Sequence, residues 1–257
     1  MADPASRPRH RGGMTRRAAL RHGVLFSAAV AAAGAATLPV LPGRAHPLLR
    51  PPGAVPEKQF LASCIKCGQC VQVCPVNAIL LASMDEGHGH GTAWIDARAQ
   101  ACDFSCDALQ CILACPTGAL DHRLAKPVEV RMGLAVLESP DRCLARAGQP
   151  FRGHPRGPDF PGMLRQSEVD RWRPLPVREH PYERELCDLC VLECPIPGAI
   201  RMAEHTLADG RKVREPVVLA ACTGCGVCEM LCPTQPASIV VVPWKTFESA
   251  GEHHGLG

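Results

Sequence analysis

Residues 64–75 read CIKCGQCVQVCP: four cysteines separated by two, two and three residues, with a proline directly behind the last. That spacing is the bacterial signature of iron–sulfur ligation, in which three close cysteines wrap one cube and the fourth, ahead of the proline, serves a second cube nearby. Thiolate suits the task because it is soft, charged and polarisable enough for iron. Gly68, lacking a Cβ, lets the loop come close to the inorganic core. The same run recurs at 222–233, where Cys222, Cys225, Cys228 and Cys232 precede Pro233 and Gly226 takes the place of Gly68.

Two further stretches depart from this pattern. Cys102, Cys106, Cys111 and Cys115 are spaced by three, four and three residues before Pro116, so their loop must bulge. The stretch RELCDLCVLECP at 184–195 is one cysteine short and offers only Cys187, Cys190 and Cys194. The chain has sixteen cysteines, and the one that none of these motifs uses is Cys143. A lone cysteine is also a common small buried residue. Assigning Cys143 as the missing ligand, however, gives sixteen thiolates for four 4Fe-4S clusters with none left over, and that closed count favours ligation. Structural zinc prefers two C-x2-C pairs set well apart, and disulfides give no reason for a repeated Cys-Pro ending. No C-x-x-C-H is present for covalent haem. The histidines of Gly87-His88-Gly89-His90 and His253-His254 read as solvated, since two ligands on mobile backbone lose much of their binding to ordering entropy.

The Cys-Pro endings form an internal repeat: CPVNAI at 74–79, CPTGAL at 115–120, CPIPGAI at 194–200 and CPTQPASI at 232–239. Four copies imply four units. Segments of β-propensity precede the cysteines at 92–95, 128–137 and 217–219, and proline disfavours helix at the cysteine before it. Each unit reads as a strand, a cysteine-bearing loop, one helical turn, then a strand or loop. The expected fold is α+β and loop-rich, with tandem bacterial-type dicluster 4Fe-4S ferredoxin modules organised around the clusters. Aromatic residues are only 4% of the chain, with Tyr182 the single tyrosine, so the cofactors must stand in for part of a conventional core. Residues 46–56, HPLLRPPGAVP, read as an extended proline-rich lead-in. Residues 144–186 hold seven prolines and eight arginines without a long apolar period, and read as a solvated surface insertion with little core of its own.

At the N-terminus, Arg16-Arg17 precedes a run of small apolar residues from Val24 to Val40, ending in Gly43-Arg44-Ala45, a small-x-Ala cleavage site. Residues 1–45 therefore resemble a twin-arginine export signal, followed by a four-cluster domain over 46–257. The run is barely long enough to span a bilayer, which makes a signal the better reading than an anchor. These 45 residues carry seven arginines and one aspartate, a surplus of six positive charges, so the formal +3 of the chain becomes about −3 for the remainder. Nothing in that balance suggests nucleic acid. No Ser/His/Asp set, phosphate loop or dinucleotide fingerprint appears, so no catalytic residue is assigned.

These stretches together resemble the NapG/MauM family of periplasmic ferredoxin-type proteins. The resemblance is carried by RPPGA at 50–54, CIKCGQCVQVCP, CPTGALD at 115–121, RMGLAVL at 131–137, ELCDLCVLECP, and ACTGCGVCEMLCP at 221–233. Cys143 stands where the family has the first cysteine of its third motif. The chain departs from the family in the length of its 144–186 insertion and in one extra residue between Cys102 and Cys106.

The resemblance implies four 4Fe-4S clusters and no substrate site of the chain's own. It implies electron transfer from an integral-membrane iron–sulfur quinol dehydrogenase of NapH-like type toward a periplasmic reductase such as nitrate reductase, or its cytochrome. Maturation of a periplasmic enzyme in methylamine utilisation, and an iron–sulfur subunit of a larger oxidoreductase, are the alternatives. It places the chain in the periplasm, exported folded, with membrane association through its partner or an uncleaved signal left open. By analogy with other four-cluster subunits it also implies that the outer motifs (64–75 and 222–233) share clusters, and that the inner motifs (102–116 and 143/187–195) do. One cube would take Cys64, Cys67, Cys70 and Cys232, and a second Cys222, Cys225, Cys228 and Cys74. A third would take Cys102, Cys106, Cys111 and Cys194, and the last Cys143, Cys187, Cys190 and Cys115.

Overall fold

The structure is a computed structural model that describes residues 15–37, 47–86, 89–106, 108–164, 174–207 and 209–243. Its contacts divide the chain into two units, Met1–Arg44 and Ala45–Gly257. The first contributes α1 (Arg16–Thr37), which is rich in alanine and contains no proline, a composition that favours helix. Thr15 Oγ1 accepts the Ala18 N–H at 3.3 Å, capping the first turn. Among the described residues no helix is long and apolar enough to cross a membrane. Gly43-Arg44-Ala45, His88 and His253-His254 lie outside the described residues.

The second unit holds α2 (Glu57–Ser63), α3 (Gln69–Gln72), β1 (Leu80–Leu81), β2 (Ala93–Trp94), α4 (Gln110–Leu113), β3 (Gly133–Leu137), β4 (Phe151–Gly153), β5 (Met163–Leu164), β6 (Leu175–Pro176), β7 (Tyr182–Arg184), α5 (Leu189–Leu192), β8 (Ile200–Thr206), β9 (Lys212–Val218), α6 (Val227–Met230) and β10 (Ile239–Pro243). It is a loop-rich α+β fold whose strands pair in antiparallel twos.

Two halves repeat one plan. In the first, the 64–75 motif leads through the β1–β2 hairpin to the 102–116 motif; in the second, Cys187–Cys194 lead through the β8–β9 hairpin to the 222–233 motif. Each half closes where the segment before its first motif meets the segment after its second. Ala54 bridges Leu120 in the first half. In the second, β3 pairs with β10 from Gly133↔Pro243 to Leu137↔Ile239. The four short helices α3, α4, α5 and α6 each carry the third cysteine of a Cys-Pro unit and end before the fourth, where the proline prevents continuation.

Strand pairs this small are marginal alone, so packing must hold them. Phe60, Ile79, Ile95, Ile112, Leu120 and Val130 fill the first half together with Cys102 and Cys111. Leu134, Ile196, Ile200 and Ile239 fill the second together with Cys222, Cys228 and Cys232. Phe104 packs against both cores and against a third formed by Ala101, Phe160, Leu164, Val177, Val227, Met230 and Leu231.

That third core corrects the reading of residues 144–186 as a solvated loop. β4 pairs with β7, and β5 with β6 inside them, giving a nested antiparallel ladder. Its apolar residues Phe160, Leu164 and Val177 are buried against α6. Gln100 fixes it from the first half, donating to Met163 O at 2.9 Å and accepting from Met163 N at 2.8 Å. A composition of proline and arginine hid this because only a few apolar residues, set far apart in sequence, make the contact. In the 128–137 segment, Pro127–Glu129 form a 3₁₀ turn and the strand begins only at Gly133.

The 46–56 lead-in is also not a spacer. Leu49 O accepts Ile95 N at 2.8 Å, and Gly53 O accepts Asp121 N at 2.7 Å. Between them Arg50 is 1% exposed, paired through Nε and Nη2 with both carboxylate oxygens of Glu57 at 2.9 and 2.5 Å. Its Nη1 donates to Thr92 Oγ1 at 3.0 Å and Ala93 O at 2.9 Å, and the guanidinium lies 4.8 Å over the Phe60 ring. A buried cation held this way is tolerable only while its partners remain. Glu57→Ala, which strands that charge, is expected to cost about 3 kcal/mol, read as a lower midpoint of guanidinium-induced unfolding followed by circular dichroism.

Candidate metal centres

None of the sixteen cysteines is in a disulfide, and the fold brings them together in four sets of four. Cys64, Cys67 and Cys70 share a concavity with Cys115. Cys194 lines a second with Cys222, Cys225 and Cys228. Cys143, Cys187, Cys190 and Cys232 line a third. The remaining set is Cys74 with Cys102, Cys106 and Cys111, in the first-half core, where the Cys74 sulfur acts on both Cys106 and Cys111.

This arrangement overturns the pairing of outer with outer and inner with inner motifs. Cys232 stands with Cys143 rather than with Cys64, and Cys115 with Cys64 rather than with Cys143; Cys74 and Cys194 exchange places in the same way. The physical reason is the hairpin. It returns the chain at once, so the second motif of each half lies beside the first, and each Cys-Pro cysteine reaches its immediate neighbour.

Cys143, the unpaired cysteine of the sequence, is buried at the end of the 3₁₀ turn Pro140–Arg142 and faces Cys187 and Cys190. Residues 144–186 are therefore a loop extended between two members of one set, its ends held by the Cys187 N–H on Gln149 O at 3.0 Å.

Three of the four loops share a backbone device that spacing alone does not show. Two residues beyond the first cysteine, and again just before the helical turn, the chain is left-handed: Lys66 (φ 59°) and Gly68 (φ 74°), then Gly224 (φ 72°) and Gly226 (φ 95°). Such residues turn successive N–H groups toward one concave side, the nest geometry that receives anionic iron–sulfur cores. The irregular motif obtains it with L-residues, Phe104 (φ 53°) and Leu109 (φ 50°), and takes up its extra length at Ala108 (φ 56°). Each costs roughly 1 kcal/mol or more. At Gly224 a Cβ would stand 2.4 Å from the Gly133 backbone, so only glycine fits where this loop crosses the start of β3. Lys66, at the equivalent surface position, has room for a side chain.

The electrostatics describe the donor chemistry. Burial, and then the sulfurs of Cys64, Cys67 and Cys115, push the Cys70 thiol up to about 11. Burial, with Cys106, Cys74 and Cys70 behind it, pushes Cys111 up to about 12. Cys225 rises to about 12 by burial, with Cys194 and Cys222 adding to it. Cys187 rises to about 11 by burial against a hydrogen bond from Leu189, with Cys143 and Cys232 adding repulsion. Cys115 and Cys232 go the other way. Burial is their largest single influence and raises both, but several hydrogen bonds, to Thr117, Ala119 and Leu120 in one case and Thr234, Ser238 and Ile239 in the other, together bring them below the ordinary thiol value.

Sets of thiols that resist ionisation become thiolates when a cationic core displaces their protons, and such binding weakens as pH falls. Among the described residues no three His, Cys, Asp or Glu side chains converge closely enough for a single ion. Four sulfurs per set match the ligand number of a core with an iron at each corner.

Neighbouring sets form a row. The Cys70 sulfur acts on Cys111; the Cys102 N–H donates to Cys225 O at 3.2 Å across the two halves; and the Cys190 sulfur acts on Cys228. Read in that order, the sets begin at the exposed Cys67 and end at Cys143.

Two modules, each with two sulfur sets around antiparallel hairpins, define a ferredoxin-type iron–sulfur protein, and its role is electron transfer. The sequence pattern of the 4Fe-4S dicluster domain matches residues 63–119 and 184–235, one match per half. The methylamine utilization ferredoxin-type protein MauM of Paracoccus denitrificans is 35% identical over 219 residues, covering 83% of this chain and 81% of that protein. The ferredoxin-type protein NapG of Escherichia coli is 34% identical over 210 residues, covering 80% and 75%. MauM of Methylorubrum extorquens is 35% identical over 196 residues, covering 76% and 72%. No solved structure matches the chain. The chain belongs to the NapG/MauM family of ferredoxin-type proteins.

Which sulfurs share a cluster can be read from pairs of substitutions. Cys74→Ala combined with Cys111→Ala is expected to lose no more iron than the more severe single variant, because both serve one set. Cys74→Ala combined with Cys222→Ala should lose the sum, as independent sites do. Iron analysis of anaerobically purified protein checks both.

Proposed function

We propose that the chain is a periplasmic electron carrier holding four 4Fe-4S clusters, which passes electrons from a membrane quinol-oxidising partner toward a periplasmic reductase such as nitrate reductase. The observation that carries this reading is the row of four sulfur sets, each adjoining the next. All sixteen cysteines are assigned as ligands in the sets described above. When bound, a 4Fe-4S cluster supplies reversible one-electron transfer, at a potential its surroundings tune.

The chain's own part is to hold and insulate. The backbone nests fix the sets built on the 64–75, 102–116 and 222–233 loops, the Cys102–Cys225 hydrogen bond keeps the two halves in register, and burial of Cys102, Cys222, Cys225 and Cys228 keeps water from the middle of the row. Beside Cys67 the surface carries exposed Ile65 and Leu81, a side on which a partner would approach.

The residues from Arg16-Arg17 to Ala45 are assigned as a twin-arginine signal, because clusters are built in the cytoplasm and only a route for folded proteins carries them outward intact. A second reading is supported by the relatives named MauM, which are as similar as those named NapG: an assembly factor for a periplasmic enzyme, here one of methylamine utilisation.

Turnover separates the two. Quinol added anaerobically to membranes containing the partner is expected to bleach the visible absorption of the added protein within the turnover time of the pathway. Protein that stays oxidised there, while the target enzyme needs it only during its own synthesis, favours the assembly role. Changing both Arg16 and Arg17 to Lys is expected to leave a brown, cluster-loaded precursor in the cytoplasm, checked by fractionation and iron content; normal export of that variant overturns the signal assignment.

A further inference from the structure

Of the four Cys-Pro cysteines, Cys232 has the closest side-chain hydroxyl on its sulfur. Its Sγ accepts the Ser238 N–H at 3.2 Å and lies 3.2 Å from Thr234 Oγ1, which is in turn 2.8 Å from Ser238 Oγ. A sulfur bound to iron carries no proton, so within this chain Thr234 must donate to Cys232 while Ser238 donates to Thr234. At the corresponding positions after Cys74 and Cys194 the chain has Val76 and Ile196, which offer no hydroxyl. Thr117 stands 3.8 Å from Cys115, a longer contact.

A cation reaches the same place from the other half of the molecule. Arg98 follows β2, yet its Nη1 donates to the carbonyls of Glu229 and Cys232, the latter at 2.8 Å, and its Nη2 to Thr234 O at 2.7 Å. Arg156, from the insertion, lies 4.4 Å over the Phe160 ring and donates to Arg98 O. The charge of the Cys232 sulfur acts on both guanidinium groups. Asp96 and Glu229 lie close enough to Arg98 to offset part of its charge.

Taking up an electron adds negative charge to a cluster and its thiolates, so nearby cations and hydrogen-bond donors to sulfur stabilise the reduced form and raise the potential. We propose that Arg98 and Thr234 set the reduction potential of the cluster held by Cys143, Cys187, Cys190 and Cys232, raising it above the other three, so that electrons collect at this end of the row. The inference rests on the iron–sulfur reading of that set. Arg98 and Thr234 are positioning residues that act through Cys232.

The test is an anaerobic redox titration of the full chain followed by electron paramagnetic resonance. Cys187→Ser, which alters one cluster only, identifies the signal of this set. That signal is expected to have the highest potential in the unaltered protein, to move lower in Thr234→Val, and to move lower again in Arg98→Met. Arg98→Lys, which keeps the charge, should recover part of the shift, which a purely structural role of Arg98 would not predict. If Arg98→Met loses iron, Thr234→Val alone decides. Clusters present at unmoved potentials, or a higher potential at another set, overturn this inference while leaving the carrier reading intact. A chain with no cluster signal at all overturns both.

Discussion

Four sulfurs gathered in an apolar setting resist becoming charged, both because burial removes their hydration and because each thiolate repels its neighbours. Cys111 shows the two effects together, its thiol pushed up to about 12 by burial first and by Cys106, Cys74 and Cys70 after it. A core of positive iron reverses both, which is why the sulfurs can sit among the buried residues at all. The apolar packing of each half is arranged around its sulfur sets, with Cys102 and Cys111 among Ile95, Ile112 and Leu120, and Cys222, Cys228 and Cys232 among Leu134, Ile200 and Ile239. In small metal-organised domains such an arrangement couples cofactor binding to folding.

The same constraint explains the pairing of motifs. Each set needs a fourth sulfur from outside its own loop, and the shortest way to supply one is to turn the chain back through a hairpin. β1–β2 does this in the first half and β8–β9 in the second. Closing contacts over a short separation costs less chain entropy than closing them over the length of the molecule. Pairing the outermost motifs would have required residues 64–75 to meet residues 222–233 across every intervening element. What joins the halves instead is apolar packing around Phe104 together with specific contacts: Cys102 on Cys225, Met132 N on Thr223 O at 2.8 Å, and Arg98 on the carbonyls behind α6.

Sequence spacing made the four Cys-Pro units, their single helical turns and the α+β character legible, because a ligand loop of fixed geometry tolerates few alternatives. It did not reveal which motifs pair, since spacing says that a fourth cysteine leaves its loop but not where it goes. The left-handed Phe104 and Leu109 were hidden for another reason: these residue types rarely adopt that backbone, and only their register with Lys66 and Gly68, counted from the first cysteine and from the helical turn, could have exposed them. Arg50 was hidden by its neighbours, because a run of prolines suggests an unattached spacer, whereas here the prolines lead a cation into the core beside Glu57. Residues 144–186 were misread for the same reason.

The two halves of the row differ in a way that bears on direction. Cys67 is exposed and the loop around it accommodates a lysine, whereas the equivalent loop in the second half is so enclosed that Gly224 has no room for a single added carbon. The insertion adds to that enclosure, since Phe160, Leu164 and Val177 cover Val227, Met230 and Leu231 and place Arg156 near Cys232. An insulating cover over the third set and a second cation beside the fourth are both supplied by the segment in which this chain departs most from its family's pattern. The cover lowers solvent access, which disfavours added negative charge, while the cation favours it. With clusters bound as proposed, the two effects would act on adjacent sets in opposite directions, although the insertion contributes no sulfur to either.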